Sequence, residues 1–417
     1  MLTSNAFVFT YFPGQKWQFI INTLNTTSVQ AIPPFFFVVV LYKNMENYVY
    51  HESEPENRRT SYKPFGVVDF VLNANGRSLV PNSIKIEGDL IVTSDGTTQL
   101  PKTYNEVIKF NRKTGIHGAI ESISRSTIKQ GSLESINNYA RFVCMEETAT
   151  AEVNDAMNAS KQVELKSPYE VFSGLYAEVQ PQTYRAVGAT ADASASTDFS
   201  MKPRVCLNRF TGGNLAFAKT GAMKVTLTLA RSLAFLYGVV PANATYELKN
   251  LRCCYSTVPT ESKPPTVLMN KTSGIKASIN STLANISANV ASSAVKGVSV
   301  SFLEQAHENT AGDDNYKLEP LPNLQELQFI FNDSLNKYIN FVLKSDSEIL
   351  DGAVNSFNSA GHSNVSPSNL RQGGSSIIGT AFDDFVDMTR SAFDIQIRSD
   401  TVSAYNVYMY FHSVLQM

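Results

Sequence analysis

The chain has 417 residues, 43% of them hydrophobic, which is enough for two or three well-filled cores and excludes a disordered polymer. A formal net charge of −2 argues against a dedicated nucleic-acid binder and against a polybasic membrane anchor. Charged residues make up only 17%, against about 25% in an ordinary soluble domain, and extensive protein–protein contact is one use for so much uncharged surface.

Residues 1–61 are expected to form an extension. Its most apolar run, Phe35–Tyr42, follows Pro33-Pro34 and is far shorter than the ~20 residues needed to span a bilayer, so it reads as a strand or an anchoring arm. His51–Arg59 (HESEPENRR) reads as a solvated connection, with an inter-subunit arm as the sharper alternative.

A first β unit is expected over 62–260. Val67–Leu72 reads as a buried strand and Asn73–Gly76 as a turn. Ile84, Ile86, Gly88, Leu90 and Val92 alternate with mostly polar residues in the period of a half-buried strand. Ile120, Ile123 and Ile128 lie on another strand-rich stretch ending at Gly131. Leu133, Ile136, Tyr139, Phe142 and Val143 then recur at three and four residues, which predicts one or two helices from Leu133 to about Ser160 with Ser132 as an N-cap. Strand character returns at Tyr169–Tyr176, Val205–Phe210, Met223–Leu229 and Tyr246–Val258.

A linker is expected over 261–297, stiffened by Pro264-Pro265. The spacing of Ile275, Ile279, Leu283, Ile286 and Val290 predicts one short helix within it. A second β unit follows over 298–417. Its strands are Val298–Leu303, Leu324–Phe331, Tyr338–Leu343, Ser375–Phe382, Phe393–Ile397 and Val402–Leu415, with a short helix in Ser347–Phe357.

Cys144, Cys206, Cys253 and Cys254 include no C-x-x-C pair and read as reduced, buried thiols of a protein assembled in the cytosol. No phosphate-loop, dinucleotide, zincin or nucleophile-elbow motif occurs. His51, His117, His307, His362 and His412 have no metal-ligand spacing and read as hydrogen-bonded or surface residues. Gly373–Ser376 reads as a turn, not an anion cradle. Asp313-Asp314, and Asp383-Asp384 with Asp387, read as solvated acidic turns, not calcium loops. Arg58-Arg59 starts no basic stripe. No catalytic, cofactor-binding or metal-ligating residue is therefore assigned, no cofactor is expected, and the chain does not read as an enzyme.

Two successive β units of sandwich size, each with a helix inserted, resemble the double jelly-roll major capsid proteins of icosahedral DNA viruses: tailless phages, virophages, polinton-like viruses and large nucleocytoplasmic viruses. Gly115–Ile120 leading to Gly131–Tyr139 is similar to the family's strand, glycine turn and helix opening on a Leu-Glu-x-Ile-x-x-Tyr-like run. Met223–Leu229 followed by Ala244-Thr245-Tyr246 resembles the end of the first barrel, and Tyr405–Leu415 (YNVYMYFHSVL) the final strand of a capsid barrel. The resemblance implies an all-β fold of two tandem jelly rolls with short helical insertions. It also implies a structural role in the virion, in which homotrimeric, pseudo-hexagonal capsomers tile a shell assembled in the host cytoplasm or nucleus. Partners on this reading are further copies and other capsid and vertex proteins, with an internal membrane as a further candidate and no sequence-specific nucleic acid. A vertex (penton) protein with one true jelly roll and an all-β receptor- or carbohydrate-binding spike are the rival readings.

Overall fold

The computed structural model describes residues 47–98, 108–111, 113–150, 164–166, 182–183, 196–238, 240–321, 324–332, 338–343, 345–362, 365, 367, 370, 377–389, 392–399 and 404–417. Phe35–Tyr42, Tyr169–Tyr176 and Gly373–Ser376 lie outside the described residues.

The chain starts with β1 (Val49–Ser53), β2 (Val67–Leu72), β3 (Arg77–Leu79), β4 (Lys85–Thr93) and β5 (Ile108–Phe110). After these come β6 (Ile120–Thr127), β7 (Gly131–Asn137), helix α1 (Tyr139–Thr150), β8 (Gln182–Thr183) and β9 (Thr197–Met201). Next are β10 (Phe210–Thr211), β11 (Leu215–Ala216), β12 (Met223–Leu229), β13 (Tyr237–Gly238) and β14 (Thr245–Pro259). Beyond residue 260 lie β15 (Leu268–Ile279), β16 (Leu283–Ala288), β17 (Val295–Glu304), β18 (Leu324–Asn332) and β19 (Tyr338–Leu343). Helix α2 (Asp346–Ser359), β20 (Ile377–Val386), β21 (Ala392–Ser399) and β22 (Tyr405–Gln416) complete the chain.

The pairing is antiparallel and repeats itself. In the first half β14 is central: Cys253 and Cys254 face Ser53 and Glu52 of β1 on one edge, and Ile86 and Lys85 of β4 on the other. One sheet therefore runs β1-β14-β4-β9, with β3 and β11 extending it, and the other runs β2-β12-β6-β7. Counting only these eight strands, the orders are 1-8-3-6 and 2-7-4-5. The second half has β15-β22-β17-β20 and β16-β21-β18-β19, the same two orders. The long helices α1 and α2 also each lie between the fifth and sixth strands of their half. One topology is thus written twice.

Each pair of sheets closes on its own core. Val68, Phe70, Ile86, Leu90, Val225 and Leu227 belong to the first core, and Val298, Val300, Phe329, Ile395, Met409 and Phe411 to the second. β12 shows why such residues form strands: Met223, Val225, Leu227 and Leu229 are buried, and the lysine and threonines between them are half-buried on the other face. β1, within the segment expected to be an extension, supplies the first strand of the first half. Beyond it most of the charged stretch is solvent-facing, as a solvated connection requires.

Several local readings are corrected. Leu133–Asn137 belongs to strand β7, and the helix starts only at Tyr139, after Asn138 in a left-handed conformation (φ 50°). The register passes from Ser126↔Ser132 to Arg125↔Glu134, leaving Leu133 as a bulge. That extra residue buries both Leu133 and Ile136, so a strand acquires the i, i+3 spacing of a helix. In 261–297 the expected helix is replaced by β15 and β16 around Asn280-Ser281-Thr282. Ile275 and Ile279 are four apart, an even number, and Ala277 between them packs on the same second core, as period two requires. Val205–Phe210 is mostly turn, with only Phe210 in a strand.

The last strand, β22, is buried on both faces for nine residues. Val407, Met409 and Phe411 enter the second core, while Tyr408 and Tyr410 pack with the first. Helix α2, opened by a Ser345/Glu348 capping box, lies against β17 and β20. Gly379 permits that close approach, because a Cβ there would stand 2.5 Å from Ser356 Oγ.

A buried ionic junction as candidate functional site

α1 is buried on every side from Tyr139 to Ala149, yet it carries Arg141, Glu146 and Glu147. Buried charge is tolerated only when paired and hydrogen-bonded, and here the partners come from both halves of the chain. Arg141 Nη1 donates to the carbonyls of Lys317 (3.1 Å) and Phe302 (3.4 Å), and Nη2 to that of Asn315 (2.5 Å). Its guanidinium lies 4.2 Å from the centroid of the Tyr408 ring. The next residue, Phe142, packs against Tyr410 (5.3 Å between centroids) and His412 (6.2 Å).

Around the helix the charges form a linked set. Glu146 meets Arg209 (2.7 Å), His362 (2.9 Å) and Arg204 (3.6 Å). Glu147 meets Arg204 (2.5 Å) and Lys166 (2.8 Å), and Lys166 reaches Glu164 (2.8 Å), which faces His117 (3.6 Å). On β7, Glu134 pairs with Arg125 of β6 and accepts the backbone N–H groups of Thr272 (2.6 Å) and Cys206 (3.0 Å). Thr272 lies on β15, so this one carboxylate ties the first half to the second.

Burial alone would raise the pKa of Glu146, but Arg209, His362 and Arg204 more than reverse it and hold the carboxyl well below its usual range. Glu164 behaves alike: burial opposes ionisation, and His117, Lys166 and Arg204 win. Burial pushes the Cys206 thiol up to about 12, so it is no nucleophile. The arrangement fixes the position of one sandwich against the other.

The histidines weighed in the sequence are all engaged by hydrogen bonds or ion pairs. His51 stacks on Tyr255 and bonds Thr257, His117 bonds the Tyr139 hydroxyl, and His307 pairs with Glu319. His412 bonds Ser299, and His362 pairs with Glu146. Asp314 accepts from Asn111 and Tyr316, and Asp387 closes a turn on Thr389. No group of His, Cys, Asp and Glu among the described residues is arranged to hold a metal, and no helix among them is long and apolar enough to cross a membrane. All four cysteines are buried. Sequence reasoning missed the junction residues. The available signal was three charges inside the otherwise apolar Tyr139–Thr150.

No family model and no curated protein matches the sequence. Among solved structures the chain is similar to the Faustovirus major capsid protein, at 9% identity and TM-score 0.61, over 92% of this chain and 93% of that one. It is similar to a chain of the Sputnik virophage at 11% identity and TM-score 0.55, covering 94% and 91%. A chain of the PBCV-1 virus capsid matches at 11% identity and TM-score 0.54, covering 91% and 97%. The fold is the double jelly roll. The doubled strand order and these full-length superpositions agree on it, as the resemblance in the sequence implied. In double jelly-roll terms the junction is the seam between barrels, with α1 wedged into it and β10 adding a strand to the second barrel beside β15.

The seam carries a pH dependence. Burial pushes the His412 imidazole down to about 3, with His362 and Arg209 adding to the effect. In the unfolded chain a histidine titrates near 6.5. Between these values the unfolded state binds the extra proton. Stability is therefore unaffected above about pH 6.5 and falls as pH drops below it, by up to about 1.4 kcal/mol per unit for one group. His412→Gln is expected to flatten the fall of melting temperature between pH 6.5 and 4.5, and an unchanged slope would contradict this.

Proposed function

We propose that this protein is a major capsid protein of an icosahedral DNA virus, a non-enzymatic brick of the virion. The observation that carries the reading is the repeated strand order with a helix at the same place in each half, locked across a charged seam. Two similar barrels held rigidly side by side give a subunit with pseudo-twofold character, and three such subunits give a nearly hexagonal block that tiles a shell. Low overall charge suits the broad lateral contacts such tiling needs. The structures it superposes on come from a virus, a virophage and a virus capsid, which supports the same role here.

On this reading the functional units are the two barrels, meeting between β14 and β15, and the partners are further copies and other shell components. Native mass spectrometry of the purified protein should give the mass of three chains. Five chains would favour a vertex protein, and monomers that bind glycans would favour a spike.

A further inference from the structure

Two local irregularities converge on a cleft of about 470 Å³ between the barrels, lined by Phe65, Glu121, Arg141, Arg231, Lys276 and Glu308 among others. Thr228 pairs with Ser122 but Leu229 with Ile120, so Glu121 is a bulged residue; it is exposed and forms no salt bridge among the described residues, with Lys276 and Arg231 near enough to favour its charge. Bulges re-aim side chains in this way. Phe65 is held at φ 63°, a left-handed conformation costly for a bulky residue, and is 65% exposed. Arg231 covers its ring at 5.5 Å and forms no direct salt bridge among the described residues, lying within electrostatic reach of Glu121. Lys276 and Glu308 neutralise each other, and Arg141 is held by carbonyls. Against the lone Glu121, Arg231 and Arg141 leave the cleft with a net positive charge.

A matching patch lies on the second barrel. Val295 pairs with Val386 and Gly297 with Ala381, so the four residues 382–385 oppose the single Lys296. This wide bulge on the terminal strand β20 projects Asp383, Asp384 and Phe385 into solvent, with Phe385 60% exposed and Lys296 above its ring at 5.4 Å. The patch thus offers two acids, an aromatic ring and a base. The cleft offers a base, an aromatic ring and an acid.

From this complementarity we infer that the Asp383–Phe385 bulge of one copy docks into the Phe65–Glu121–Arg231 cleft of a second copy. Arg231 meets the aspartates, Phe65 meets Phe385, and Glu121 meets Lys296. The contact joins two different surfaces and is heterologous, the type that closes into a ring when the rotation allows. It deepens the capsomer reading and rests on it. The test is sedimentation velocity on full-length Arg231→Glu, on Asp383→Lys/Asp384→Lys, and on the combination, with thermal melts as a folding control. Each reversal should weaken trimer association at least tenfold without lowering the melting temperature, because like charges would then oppose each other. The combined variant should recover to within about threefold of wild type. Trimers indifferent to the reversals, or a combination no better than either alone, would overturn the contact and leave the capsomer standing. A wild-type chain that stays monomeric would overturn both.

Discussion

Glu134→Ala is expected to cost about 3–5 kcal/mol of stability, the toll of removing one partner from a buried ion pair. Arg125 and Glu134 are both fully buried, so Arg125 would keep its charge with no carboxylate beside it. The N–H groups of Thr272 and Cys206 would lose their acceptor in the same step, and each orphaned group adds a desolvation penalty. The double change Arg125→Met/Glu134→Leu should recover the part of the loss that comes from the unpaired guanidinium, since it removes the charges together and leaves apolar volume behind, while the two N–H groups stay without their acceptor. Chemical denaturation of the three variants measures this directly. A Glu134→Ala protein within about 1 kcal/mol of wild type would show that this carboxylate does not tie the barrels.

Phe142→Ala should be as damaging, at about 3–5 kcal/mol. The ring is wholly buried between Arg209 and the Tyr410 and His412 side chains of β22, and a rigid helix and a sheet cannot collapse into the space it leaves. Phe385→Ala, at an exposed position, should stay within about 0.5 kcal/mol in the isolated chain. Equal losses at the two sites, measured by the same denaturation series, would contradict the view that the seam carries the stability.

Much of the architecture was legible where one face of a strand is wet. β12 shows clean alternation, and Val67–Leu72 and Tyr338–Leu343 coincide with strands as read. Legibility failed where an irregularity changed the period, as the Leu133 bulge did in β7. It failed also where an even spacing suited helix and strand alike, as at Ile275 and Ile279. The strand order itself lies in pairings such as Tyr246↔Val92, which no local pattern encodes. The resemblance to capsid proteins supplied that topology instead. The seam stayed hidden for a similar reason: Glu134 and Thr272 become neighbours only after both barrels have formed. β1 was hidden because its outer residues are exposed and only His51 and Ser53 are half-buried, leaving no apolar stripe to read.

Two like barrels, fixed across a charged seam, are proposed to make one building block of a shell. Cryo-electron microscopy of the assembled protein tests it most directly. The expected image is a closed lattice of nearly hexagonal blocks, each holding six barrels contributed by three chains. Isolated chains whose two barrels adopt variable mutual orientations, with no lattice at any concentration, would contradict it.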